Sequence, residues 1–589
     1  MSDARERAKE FLTRQKAFRL GTLLTESSHP KTRTLSQTIQ ADTRAGIEQL
    51  LWVDADIPPA LARVFGQNGF GRLVEAFAKT FRVGGRVFFT GCGATGRLSI
   101  LLEAAWQRFW REASGREEGL SRLAEGMMGR CHSIMAGGDF ALIKAVEGFE
   151  DFPDFGRHQL LQAGVQRDDM VVAITEGGET PFVIGTAWQG LDSGARVFFV
   201  YNNPTEILRE HVQRSREVIE EPRITKLDLT TGPMAVMGST RMQAVTVELL
   251  VVGAAMEMAM ARVLESHLSR AVLRQLGLAN PSCGDYTERF TELLAQLSAP
   301  DAVAAIARAT AFEEGLYTDH GLVTYAAELS LLDVLTDTTE RSPTFMVPAF
   351  RKQGDTVAPV SWAFVKTPFY PTRQAWYEML QREPRGLDWG PEEYEALNAP
   401  PGLRARPPKL DNREIHRFQI GHEPDPSRTD APDSALVTVA VTQEAEGLHQ
   451  AALERFTGFR RTAAITVGPT KPRLNTDEHF HVRCDLPASP LRLWEHLAIK
   501  LVLNTMSTAT MTRMGRVIGN AMVWLSPSNK KLIDRGCRLL VQVTGCPYET
   551  ACEVLYEAID EVTARSDAGE EVPSPVALAI ERLSDKDHA

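Results

Sequence analysis

Cysteine is scarce in this chain. Seven residues in 589, at positions 92, 131, 283, 484, 537, 546 and 552, are scattered, odd in number and without metal-ligand spacing. They fit free thiols in a reducing compartment rather than a disulfide framework or a cysteine metal site. Long basic runs are missing too, and the formal net charge is −11, which argues against nucleic acid or an anionic membrane as partner. No apolar run reads as a membrane span. The charged opening MSDARERAKE has no apolar signal core. The expectation is a cytoplasmic protein that needs no metal and no organic cofactor.

What is present is ordinary in bulk and informative in detail. At 43% hydrophobic and 24% charged the composition is that of a globular protein, and the length is too great for one core. The stretch RVFFTGCGATGR, 86–97, stops a β-branched and aromatic run at a glycine cluster, and a helical pattern from Leu98 to Trp110 follows at once. Gly91, Gly93 and Gly96 let the backbone turn sharply and approach a ligand. Thr95 and the free N–H groups of the helix start would face that ligand, a suitable place for an anion. A tight turn without a ligand is the competing reading. The loop fits G-x-G-x-x-G, but the dinucleotide fingerprint also needs an acidic residue at the end of the next strand. The next strand-like run, His132 to Ala136, ends instead in Gly137-Gly138.

Residues 42–80 read as helices, and strand-like runs follow at 86–90, 132–136, 170–175 and 196–201, separated by helical segments. Continuous apolar strands alternating with helices predict an α/β fold, a parallel sheet covered on both faces, with ligands beyond the carboxyl ends of the strands. Four glycine- or hydroxyl-rich turns lie at such ends or at helix starts: 91–96, 137–151, 176–181 and 231–243. Their number favours a ligand cradle.

Together these segments resemble the SIS (sugar isomerase) domain family, as in N-acetylmuramic acid 6-phosphate etherase and glucokinase regulatory protein. The matching stretches are LLTESSHPKTRTLS (23–36), GCGATGRL (91–98), AGGDFALIKAVEGFED (136–151), TPFVIG (180–185), MGSTRM (237–242) and the segment from Lys500 to Leu532. A long insert before that last segment resembles the tandem form. It carries helices at 285–313, a strand-to-helix candidate at 315–335, strands near 360–366, 435–442 and 463–468, and proline-rich loops at 383–412 and 423–433. The division expected is an N-terminal extension (1–41), a first SIS domain (42–270), a divergent second SIS domain without a clear glycine loop (271–490) and a C-terminal helical region (491–589).

The resemblance also implies a site. Of two family glutamates that do acid–base work, one falls on Glu150 and the other on Ala105, where the carboxylate is missing. Glu103 is two residues away, on a different helical face. The third turn carries Glu176 and Glu179 where phosphate donors belong. They point away and leave the N–H groups of Gly177, Gly178 and Thr180 to phosphate, or they accept hydroxyls of an unphosphorylated sugar, or one of them is the replacement acid–base, since adjacent carboxylates raise each other's pKa. Solvated loop charges are the remaining alternative. The implied binding set is Gly91, Gly93, Thr95, Gly96, Arg97, Thr175, Gly177, Gly178, Thr180, Ser239, Thr240, Arg241 and Lys500, the last matching a lysine that reaches the sugar phosphate in the regulatory protein. A solvated helix lysine is its alternative. Met234 and Gln243 remove charge from the pocket edge. The function implied is an enzyme moving a proton beside the carbonyl of a sugar or sugar phosphate, as an etherase-like lyase or an isomerase. The alternative is a non-catalytic sensor that binds a partner protein such as a sugar kinase. A monomer or a homodimer is expected.

Overall fold

The computed structural model describes residues 2–115, 118–146, 148–567 and 572–586. Strands β1 (Val87–Gly91), β2 (Cys131–Met135), β3 (Met170–Thr175), β4 (Arg196–Tyr201) and β5 (Ile224–Asp228) form one sheet in the order β2-β1-β3-β4-β5. Strands β6 (Leu322–Ala326), β7 (Ala363–Lys366), β8 (Ser434–Val441), β9 (Arg461–Gly468) and β10 (Glu478–Arg483) form a second, in the order β10-β9-β8-β6-β7. Taken from its other edge the second order is β7-β6-β8-β9-β10, so both sheets place their first strand between their second and third. All pairings in both are parallel. Parallel strands need crossovers, and the helices that supply them cover the faces. The central strands β1, β3 and β8 are accordingly buried along their whole length. The expected α/β architecture with two parallel sheets is the one observed.

Five helices place the site. They are α1 (Gly93–Ala113), α2 (Gln243–Leu264), α3 (Leu331–Phe345), α4 (Leu493–Arg513) and α5 (Lys530–Thr544). Helix α2 corrects one expectation. Its mean hydropathy reaches 1.7, enough by length and composition to cross a membrane. It is nevertheless 94% buried inside the fold, packed against α1, α4 and the helix Asn68–Arg82. A helix apolar all round is the solution for the middle of a large core as well as for a bilayer.

The two halves share one continuous apolar core, with a buried ion cluster within it. Asp337 on α3 accepts from Arg241 at 3.1 Å, Arg341 at 2.8 Å, Ser507 at 2.9 Å and Asn504 at 3.0 Å. Buried ions of this kind are tolerated only when each is paired and hydrogen-bonded. The C-terminal helices build a smaller core of their own with the helix Ser2–Arg14, through Phe11, Leu539, Leu540 and Leu555.

Candidate functional site

The carboxyl ends of β1, β2 and β3 open on a cavity of about 200 Å³. Four turns converge on it, and α3 and α5 close it.

The first turn leaves β1 at Gly91 and enters α1 through Cys92. The Thr95 hydroxyl accepts from the Cys92 N–H at 3.1 Å and donates to the Cys92 carbonyl at 2.8 Å. Thr95 is fully buried in this cap, so it does not face the cavity as expected. Gly91 and Gly96 serve packing rather than ligand approach. A Cβ on Gly91 would lie 2.5 Å from the Thr95 carbonyl carbon, and one on Gly96 2.5 Å from the Met135 side chain. Gly93 is different: its φ is +51, the space beside it is open, and it lines the cavity with Ala94 and Arg97. The Arg97 guanidinium donates to the Ala141 and Leu142 carbonyls, both at 3.2 Å, and pairs with Glu340 of α3.

The second turn follows β2 and contributes Ala136, Ala141 and Glu150 to the wall. Glu147 within it lies outside the described residues. Glu150 is half-buried, its carboxylate accepting from the Asn529 amide. Burial pushes its carboxyl up. Lys531 opposes this, Asp151, Glu179 and Glu176 reinforce it, and the pKa stands at about 7.

The third turn follows β3. Glu176 lines the cavity and accepts from the Thr240 hydroxyl at 3.4 Å, and burial pushes its carboxyl up as well. Glu179 does neither. It is 2% exposed and is held by Lys531 at 3.2 Å and by Arg214. Burial pushes its carboxyl up, but these two cations outweigh it and the pKa falls below the carboxylate range. The mutual elevation expected of Glu176 and Glu179 therefore does not occur, because the fold gives one of them its own counter-ions. Thr175 and Thr180 hydrogen-bond each other at 3.0 Å, and only Thr180 reaches the cavity wall. Gly177 and Gly178 shape the turn. Gly178 has φ +72 and packs so closely that a Cβ would meet Leu208 at 2.5 Å.

Ser239, Thr240 and Arg241, before α2, line the cavity. The Ser239 hydroxyl is buried without a hydrogen-bond partner among the described residues, as is Arg241 Nε. Gln243 is structural, bridging the Ala235 N–H at 2.9 Å and Asp54 at 2.8 Å. Lys500 meets neither of its readings. It donates to the Arg241 and Met242 carbonyls, Thr246 and Asn504 at 2.8–3.2 Å. It borders a second cavity of about 40 Å³ that shares Arg97, Arg241 and Glu340 with the first, and burial lowers its ammonium to about 8. Glu103, fully buried, faces away toward Arg382 at 3.0 Å and Arg385 at 2.7 Å.

Several wall residues have no local sequence signal. Glu340 and Thr344 come from α3 of the second half, and Asn529, Lys531 and Arg535 come from the start of α5. Arg535 is anchored on Glu26 at 2.6 Å. Only the match at the segment ending in SPSNKKL pointed to this part of the chain.

Residues 71–189 match the family model of the glucokinase regulatory protein N-terminal SIS domain. An N-acetylmuramic acid 6-phosphate etherase from Pectobacterium atrosepticum is 30% identical over 232 residues, covering 39% of this chain and 67% of the etherase. One from Salinibacter ruber is 31% identical over 245 residues, covering 41% and 68%. Against other etherases the matched share falls as low as 51% of their length. Among solved structures, the C-terminal domain of glucosamine-fructose-6-phosphate aminotransferase from Francisella tularensis is similar at 11% identity and a TM-score of 0.44, over 79% of this chain and 96% of that one.

Proposed function

The chain belongs to the N-acetylmuramic acid 6-phosphate etherase family of SIS-domain proteins, and we propose that its main cavity binds a phosphorylated sugar and moves a proton beside the sugar's carbonyl. The observation that carries this reading is Glu150, a carboxyl at the cavity wall with a pKa of about 7. An acid–base group works best when its pKa lies near the ambient pH. Glu150 is the principal proton carrier and Glu176, the other raised carboxyl on the wall, is the second. Glu176 thus takes the part left open by Ala105.

The phosphate belongs at the start of α1. Gly93 and Ala94 line the cavity there, and a 21-residue helix presents unpaired N–H groups and its positive dipole end. The unpartnered Ser239 hydroxyl is a further donor. Thr180, Thr240 and Arg97 complete the binding wall. Glu179 and Lys500 act behind it, the first by fixing Lys531 and the second by bracing the turn before α2. Because α3 of the second half supplies Glu340 and Thr344, one chain completes its own site, and a monomer is the working unit.

Proton abstraction beside a carbonyl leaves a direct trace. Incubation with hexose 6-phosphates in D2O should exchange the hydrogen beside the carbonyl, seen as loss of its NMR signal. Glu150→Gln should slow that exchange roughly a hundredfold or more. Absence of exchange with every sugar phosphate tried would remove the reading.

A further inference from the structure

We propose that the second sheet carries an anion site of its own at the amino ends of β6 and β7, built on Arg351 and Arg428 and suited to a phosphate group, free or on a small metabolite. It lies at the strand ends opposite to those that open on the main cavity in the first sheet, and it does not depend on the function proposed there. A cavity of about 240 Å³ is bounded by residues 351–355, in the loop after α3, and 424–428, in the turn before β8.

Arg428 is 2% exposed. Its guanidinium ties the two strand starts together. It donates to the Val323 carbonyl at 2.6 Å, the Trp362 carbonyl at 3.3 Å, the Thr324 hydroxyl at 3.0 Å and the Ser361 carbonyl. All four acceptors are neutral. The buried Arg97, Arg241, Arg341 and Arg535 each have a carboxylate at ion-pair distance, whereas among the described residues Arg428 has none. Neutral acceptors satisfy its N–H groups and leave its charge without a counter-ion in contact.

The carboxylates on the wall are held by the turns that carry them. Asp425 accepts from the Ser427 N–H at 3.2 Å and hydroxyl at 2.6 Å, and Asp355 accepts from the Val357 and Ala358 N–H groups, both at 3.0 Å. Asp425 acts from beyond ion-pair distance on Arg428 and on the buried Lys366 alike, and Glu423 assists at Lys366. Burial outweighs them and lowers Arg428 to about 10 and Lys366 to about 8. Lys352 pairs with Glu414 at 2.5 Å, a carboxylate that Arg417 shares at 3.4 Å. Arg351 is half-buried on the same wall, and among the described residues its guanidinium has no hydrogen-bond or ion-pair partner. Two guanidinium groups from separate segments thus line one cavity. Each can grip an oxyanion through parallel N–H bonds. A tetrahedral phosphate sends oxygens toward both segments at once, whereas a planar carboxylate presents its pair of oxygens to one.

Arg428 also holds β6 to β7, so the test rests on Arg351→Ala, which takes a partner from no other group and should melt with the parent. Calorimetric titration of the full chain with inorganic phosphate at pH 7.5, with chloride holding the ionic strength, should show a binding event that Arg351→Ala weakens roughly tenfold or more. Arg351→Lys should keep part of it. Glycerol 3-phosphate binding at least as tightly as inorganic phosphate assigns the site to an ester, and weaker binding assigns it to the free ion; either supports the site. No phosphate binding, or acetate competing as well as phosphate, overturns the inference. Phosphate binding that answers to Ser239→Ala and not to folded Arg351→Ala belongs to the main cavity, and overturns the inference while leaving the proposed function standing.

Discussion

At the end of β1 the chain reads Gly91-Cys92-Gly93-Ala94-Thr95-Gly96. At the end of β6, the same place in the second sheet, it reads Ala326-Ala327-Glu328-Leu329-Ser330. The first sequence turns at once into α1 and leaves an open cavity beside Gly93. The second ties the neighbouring strand ends together. Glu328 accepts from Thr367 after β7 at 2.5 Å, Leu329 donates to Glu444 after β8 at 3.1 Å, and Ser330 donates to the Val439 carbonyl at 3.2 Å. Identical strand order thus gives one strand-end cleft an opening and laces the other with side chains. Topology supplies the location of a site, and the turns decide whether there is one. A near-neutral carboxyl does not decide it. Burial pushes Glu444 to about 7 as well, yet it faces Leu329 and Glu328 instead of an open cavity. Perturbed groups mark candidates, and geometry selects among them.

The largest expected effect lies where the halves are joined. Glu103 of α1 is buried between Arg382 and Arg385 of the β7–β8 crossover, with the Ser133 hydroxyl at 2.6 Å. Burial pushes its carboxyl up, but the two guanidinium groups outweigh this and hold it at about 2. Glu103→Ala leaves Arg382 with Asp139 as its remaining carboxylate and takes the acceptor from the Ser133 N–H and hydroxyl, and should cost about 3 kcal/mol in urea unfolding near pH 7. A carboxyl depressed in the folded state stabilises above its unfolded pKa and loses that contribution as pH falls toward its folded value. The gap between parent and variant should therefore shrink from pH 4.5 toward pH 2. A cost below about 1 kcal/mol, typical of exposed pairs, would mean that the halves do not depend on this junction.

The same contrast explains what the sequence disclosed. Strands β1, β3 and β4 lie inside the sheet, read as unbroken apolar runs and stand out within a residue of their observed limits. Strands β5 and β10 gave no signal. ITKLD and EHFHVR sit at sheet edges, where Lys226, Asp228, Glu478 and Arg483 are left partly or fully exposed. One-sided burial breaks the run that announces a strand. In the site, the four turns were visible because glycine and hydroxyl residues cluster locally. Glu340 and Arg535 were not, since nothing near them in sequence distinguishes a wall residue from a helix charge. Thr95 and Glu179 show the converse. Their residue types suited a ligand, and the fold used them for a helix cap and an ion pair.

A smaller effect tests the two strand ends directly. Gly91→Ala would set a Cβ 2.5 Å from the Thr95 carbonyl carbon and 2.7 Å from the Gly96 nitrogen. These are backbone atoms, so the first turn of α1 must move, at about 2–3 kcal/mol. Ala326→Gly, at the end of β6, removes one buried methyl and adds backbone freedom, at about 1 kcal/mol. Urea midpoints for the two variants should fall in that order. Gly91→Ala should also abolish binding of N-acetylglucosamine 6-phosphate, whereas Ala326→Gly should preserve it. The reverse order would mean that the glycine turn is not what distinguishes the sheets.

The smallest effect separates a carboxyl at a cavity from one inside the lacing. Glu150 and Glu444 are both raised from an ordinary 4.5 to about 7. A carboxyl raised in the folded state binds its proton more tightly there than in the unfolded chain, so stability falls as pH rises from about 4.5 to 7. Replacing either by glutamine removes that penalty. Glu150→Gln and Glu444→Gln should each gain about 1 kcal/mol at pH 8, with allowance for the solvent that reaches both groups, and the gain should vanish by pH 4.5. Thermal melts across that range measure it. The two variants should then part company over ligand: in Glu150→Gln the exchange of the sugar hydrogen should slow roughly a hundredfold or more, and in Glu444→Gln it should continue at the parent rate. Loss of exchange in both would place the second sheet's strand ends in the same functional unit as the first, and the contrast between an open turn and a laced one would no longer separate them.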